Sequence, residues 1–154
     1  MKTIELTQGY TALVDDDDFE RVAQFKWYPR IDHSGKARTI YAHRRDGSSL
    51  HRFILGITDS ETHVDHKDHN GLNCQKNNMR RVTQTQNNFN ARKRRDNTSG
   101  VKGVYWDKDA QKWKVQININ KRRTNLGRFT SLEEAKHVSY AALLKYHGEF
   151  AHVD

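Results

Sequence analysis

Apolar positions along the chain fall into short groups with two different periods, and the changes of period mark the elements. Thr3 to Val14 reads as two short strands broken at Gly9-Tyr10. Phe19, Val22, Ala23 and Phe25 then recur at near-helical spacing behind Asp15 to Asp18. Acidic residues favour a helix N-terminus, so the Asp run predicts a helix start. Trp27, Tyr28 and Ile31 lead to a turn at Ser34-Gly35, and a strand over 39–44 runs to a turn at Asp46-Gly47. Leu50, Phe53, Ile54 and Leu55 predict a short helix closed by Gly56. A further helix is expected over 84–92.

Residues 92–99 carry no large apolar side chain, and after them the pattern resets. A strand is expected over 101–106. Trp113, Val115, Ile117 and Ile119 alternate with Lys114, Gln116, Asn118 and Asn120, the period of two of a half-buried strand. Lys121-Arg122 reads as a turn, and 123–129 as a returning strand. Ser131 with Glu134 three residues on forms a capping-box signature. Leu132, Ala135, Val138 and Ala142 give the helix that follows one apolar face to about Tyr146. The expected class is α+β in two parts, residues 1–92 and 98–154, joined by a basic linker at 93–97.

Composition narrows the picture. Apolar residues are 34%, below the roughly 45–50% of average domains, which leaves room for small cores only. No apolar run approaches the ~20 residues that span a bilayer. No signal-peptide pattern opens the chain, so a cytoplasmic, intracellular protein with no membrane partner is expected. The single cysteine, Cys74, excludes an internal disulfide and paired Cys-x-x-Cys zinc knuckles. The net charge of +8 is unevenly spread: residues 1–90 hold 13 basic and 12 acidic side chains, residues 91–154 hold 14 and 7. Six of the nine histidines (His33, His43, His51, His63, His66, His69) lie in one stretch of the first part. The expectation is a chemically rich front and a polyanion-binding back.

The densest chemistry is His63-Val64-Asp65-His66-Lys67-Asp68-His69-Asn70-Gly71, followed by Asn77-Asn78-Met79-Arg80 and Thr85-Gln86-Asn87-Asn88. On a strand, Asp65 and His66 point to opposite faces, so one can bind a metal while the other addresses a water. Phosphodiester hydrolysis needs a nucleophilic water and charge neutralisation at the leaving oxygen, which one imidazole and one hard divalent ion supply. Oxygen donors suit Mg²⁺ or Mn²⁺ better than Zn²⁺. The second ligand must come from elsewhere, and the helix from Gln84 offers Asn87, with Asn88 and Asn90 close by. A three-histidine zinc site fits the spacing poorly, because His66 points away from the face His63 and His69 share. No structural zinc is expected.

These motifs, with Leu50-His51-Arg52-Phe53-Ile54 and the opening Ala12-Leu13-Val14-Asp15-Asp16, resemble the HNH endonucleases of the phage and intron-homing branch, over roughly residues 1–92. Cys74-Gln75 and His69 depart from that family's usual residues. The resemblance implies a small ββα-metal nuclease domain. It makes Asp65 and Asn87 the metal ligands and His66 the general base. Asn78 would pin the finger loop without touching the metal. His51 would contact the scissile phosphate or cap its helix.

Residues 98–148 resemble a second family, the plant ethylene-response-factor (APETALA) DNA-binding domain. The matching residues are Ser99-Gly100-Val101-Lys102-Gly103-Val104-Tyr105-Trp106, Lys112-Trp113-Lys114-Val115-Gln116-Ile117, Leu126-Gly127-Arg128-Phe129 and Glu133-Glu134-Ala135. The resemblance implies three antiparallel strands packed on one helix, with the sheet in the major groove of double-stranded DNA. Strand parity turns Lys114, Gln116 and Asn118 toward DNA, joined by Lys102, Tyr105, Arg123 and Asn125. Lys93, Arg94 and Arg95 are expected to contact phosphates. The combined expectation is a metal-dependent homing or phage DNA-processing endonuclease. The alternative is a DNA-binding regulator whose nuclease half is degenerate.

Overall fold

The computed structural model describes residues 1–32, 38–91, 93, 96–119, 122–151 and 153. His33, the Ser34-Gly35 turn, Arg94, Arg95 and Lys121 lie outside the described residues. The described residues form an α+β arrangement of four α-helices and small antiparallel sheets. No helix among them is long and apolar enough to cross a membrane. Contacts divide the chain into two units, Met1–Gln84 and Thr85–Asp154.

In the first unit, β1 (Lys2–Glu5) pairs antiparallel with β2 (Thr11–Val14). The acidic run then opens α1 (Asp16–Ala23), with Asp16, Asp17 and Asp18 in its first turn. Asp18 does more than favour a helix end. It is buried, and Arg21 at 2.6 Å and Lys76 at 2.7 Å hold its carboxylate. Phe25 falls beyond the helix, against the expected pattern. The chain turns at Gln24, and the Phe25 ring packs edge-on to Phe53 instead. β3 (Tyr28–Asp32) pairs with β4 (Thr39–His43), and α2 (Leu50–Leu55) ends at left-handed Gly56. The core gathers Val14, Val22, Trp27, Ala42, Leu50, Cys74 and Met79. β5 (His63–His66) and β6 (Met79–Val82) form a hairpin beside it. The loop between them is tied to β2: Leu13 N–H donates to Leu72 O at 2.8 Å, and Cys74 N–H to Leu13 O at 2.9 Å.

The second unit opens within α3 (Gln84–Asn90), which stops before Ala91, short of the end the pattern suggests. β7 (Val104–Asp107), β8 (Lys112–Ile119) and β9 (Arg122–Phe129) make an antiparallel sheet in sequential order, covered by α4 (Leu132–His147). Val115 and Ile117 are buried, as the alternation requires, while Asn118 is exposed. β7 starts at Val104, not Val101, because Val101 to Gly103 form a turn closed by Val104 N–H on Val101 O. Gly103 has φ +80°, and a Cβ there would stand 2.7 Å from Gln116 O. β9 includes Arg122, which pairs with Ile119 and is not a turn residue. Ser131 Oγ accepts from Glu134 N–H, the forward half of the capping box.

Candidate active site

The hairpin β5–β6 sets Asp65 opposite Arg80 and His66 opposite Met79. Directly paired strand residues share a face, so Arg80 Nε reaches Asp65 Oδ2 at 2.7 Å. Both Asp65 and His66 are buried, at 5% and 6% exposure. His66 projects to the other face, among rings. Its centroid lies 5.4 Å from His51, at 90°, and 5.8 Å from Tyr41. Tyr41 and His51 are 5.4 Å apart. His51 comes from α2, where its Nε2 stands 3.1 Å from Ser49 Oγ.

Burial sets the protonation of this cluster. Desolvation pushes the His66 imidazole below its usual value, against the opposing pull of Asp68 and Asp65. His51 falls further, to about 3, through burial and the neighbouring His66, His43 and Arg52. Burial pushes the Tyr41 phenol up, with Asp32 and Asp65 adding to the effect. At neutral pH both imidazoles are therefore uncharged, which is the state a proton acceptor needs.

The loop joining β5 and β6 is held from within. Asn78 Nδ2 donates to Asp68 Oδ1 at 2.9 Å and to Asn73 O at 2.8 Å, and Asn78 Oδ1 accepts from Asp68 N–H. Asp68 also accepts from Asn70 N–H and Asn73 Nδ2. His69, a departure from the usual residue, takes a left-handed backbone at φ 59°. Gly71 sits where a Cβ would come within 2.6 Å of the Tyr41 ring and 2.5 Å of Ile40 O. The Asn-Gly pair thus lets the loop close on β4. Cys74 is buried, its thiol pushed up to about 12, so it is an inert core residue.

Asn87 lies on α3, at the start of the second unit. No three His, Cys, Asp or Glu side chains gather as a metal group among the described residues. Each candidate donor, the Asp65 carboxylate and the Asn87 amide, is a hard oxygen of the kind Mg²⁺ takes. Sequence reasoning missed Tyr41, His43, Ser49 and Arg80. Counting the hairpin register from Asp65 finds Arg80. Tyr41 and His43 share a strand face, but only the fold brings Tyr41 beside His66 and His43 near His51.

In the second unit, Tyr105, Gln116, Asn118 and Arg123 line a cavity of about 410 Å³ together with Thr85 and Phe89 of α3. Lys114 sits between Tyr105 and Arg128 in the sheet register. Asn125 Oδ1 accepts from Gly127 N–H, shaping the bulge of β9. Lys93 Nζ donates to Gly100 O at 2.9 Å. Lys102 Nζ is engaged by the carbonyls of Phe89 and Ala91. Trp106 and Trp113 pack edge-on at 4.9 Å.

No family model matches the chain, and no solved structure matches it. Over 94% of its length it is 29% identical to a protein of Acanthamoeba polyphaga mimivirus named an uncharacterized HNH endonuclease, of which it covers 74%. That name supports the HNH side of the resemblance. Over 89 residues, 58% of the chain, it is 32% identical to Protein 3.8 of Escherichia phage T7, covering 73% of that protein. With that identity across most of the phage protein, the chain belongs to the family of Protein 3.8 of phage T7.

Proposed function

We propose that the protein is a divalent-metal-dependent HNH endonuclease that cuts double-stranded DNA, directed to it by residues 98–154. The observation that carries this reading is a buried His66 adjacent in the chain to a buried Asp65, on a hairpin whose loop Asn78 locks, with burial pushing the imidazole below its ordinary value. The distant mimivirus homologue named as an HNH endonuclease supports it.

In this reading His66 takes a proton from water as the oxygen attacks phosphorus. The bond to the 3′ oxygen breaks, and that oxygen takes a proton from solvent water, leaving a 3′ hydroxyl and a 5′ phosphate. Tyr41 and His51 fix the imidazole plane and keep bulk water from it. Arg80 holds the Asp65 carboxylate in one orientation. Asp65 and Asn87 would hold Mg²⁺ or Mn²⁺, which supplies neutralisation of charge on the phosphate and the departing oxygen. Such a role fits homing or phage DNA processing inside a host cell.

The second reading is a DNA-binding regulator with an inert nuclease half. The Arg80 pair favours it, since a guanidinium at 2.7 Å competes with a cation for Asp65. Supercoiled plasmid separates the two. Cleavage is expected with Mg²⁺, absent in chelator, and lowered about 10²–10⁴-fold in His66→Ala without loss of fold. Undiminished cleavage in chelator defeats the metal mechanism. Duplex binding with no cleavage in either metal establishes the regulator.

A further inference from the structure

α3 carries Asn87 but has little of its own to hold it in shape. Its seven residues are far fewer than an isolated helix needs in water. All but Phe89 are polar. Its last carbonyls have no partners within the helix. The C-terminal unit supplies them. Lys102 Nζ donates to Phe89 O at 2.7 Å and to Ala91 O at 2.6 Å. A cation is favoured at this end of a helix, and charge-assisted bonds are the stronger kind.

The donor is itself anchored. Ser139, buried on α4, donates from Oγ to Lys102 O at 2.6 Å. A second contact fixes the other side of α3. The Phe89 ring lies flat on the ring of His147, with centroids 3.7 Å apart and planes within 6°. His147 Nε2 stands 3.0 Å from Asn118 O on β8, so it donates there and the ring cannot swing. One short helix is thus held by the turn before β7, by α4 and by β8.

We infer that Lys102 and His147 are positioning residues that hold α3, and with it the backbone that carries Asn87, in helical form. The inference rests on the reading of Asn87 as a metal ligand. The sheet-and-helix unit then contributes to turnover and not to DNA affinity alone. Lys102, which the family resemblance turns toward DNA, acts on the protein's own backbone.

The test uses the full chain with Lys102→Met, Lys102→Arg and His147→Ala. Amide exchange of residues 84–91 reads the hold on α3 directly, with the β8–β9 amides as the control for folding. In Lys102→Met those helix amides should exchange faster while the sheet stays protected. The kcat for duplex cleavage should fall about 10–100-fold, as for lost supports of metal ligands, and the Mg²⁺ needed for half activity should rise. Duplex affinity and its salt dependence should stay as in the wild type. Lys102→Arg, which can still donate to both carbonyls, should recover most of the loss.

Unchanged exchange in 84–91 for both Lys102→Met and His147→Ala overturns the inference. So does weaker binding with a salt slope smaller by about one and kcat intact, the mark of a phosphate contact. A wild-type chain that never cleaves ends the nuclease reading and the positioning role with it, and faster α3 exchange would then identify the clamp as purely structural.

Discussion

His51 shows how a single buried side chain ties stability to pH. Its imidazole sits among His66, Tyr41 and Ser49, with a folded value near 3. The unfolded chain protonates near 6.5. Between these values the unfolded state binds the proton and the folded state does not, so stability falls as pH drops from 6.5 toward 3. One such group changes unfolding free energy by about 1.4 kcal/mol per pH unit in that window. Denaturant melts of the wild type should therefore weaken steadily below pH 6.5. His51→Gln, which keeps a polar group near Ser49 and removes the titration, should flatten part of that slope. An identical pH dependence in both proteins would show that His51 is already charged when folded.

At the scale of elements, the β5–β6 hairpin is held by its loop as well as by its short strands. Four residue pairs make the ladder. The loop adds the Asn78 bonds and the backbone links to β2. Its approach to β4 is close enough that Gly71 admits no side chain. Gly71→Ala forces a methyl against Ile40 O and the Tyr41 ring. Overpacking of that kind typically costs about 1–3 kcal/mol. We expect a lowered melting temperature and a displaced Tyr41, read as a changed environment for His66 in its imidazole NMR signals. A variant as stable as the wild type would mean the loop lies farther from β4.

For the whole molecule, the charge distribution favours a polyanionic partner. Residues 91–154 hold 14 of the 27 basic side chains and 7 of the 19 acidic ones. A fragment over 85–154, which keeps α3 with the unit it contacts, should bind duplex DNA without cutting it. Each phosphate neutralised contributes about −0.9 to the slope of log affinity on log salt, so several contacts predict about −4 to −6. A salt titration on random and specific duplexes measures this. Binding that is independent of salt, or that resides wholly in residues 1–84, would remove the proposed targeting role.

The sequence by itself determined the elements that rest on local signals. Period-two alternation marked β8, the Ser131 cap marked the start of α4, and Gly56 marked the end of α2. These depend on neighbours in the chain, so pattern alone reaches them. The Asp65-His66 pair was legible for the same reason: adjacent strand residues face opposite ways whatever surrounds them. What surrounds them was not legible. Tyr41 and His51 reach His66 because β4 and α2 pack beside the hairpin, contacts between residues far apart in sequence. The attachment of α3 was hidden too. Its motif reads as the tail of residues 1–92, yet its carbonyls and its one aromatic ring found partners on Lys102 and His147. A helix this short takes its place from tertiary packing, because its own hydrogen bonds are too few to fix it.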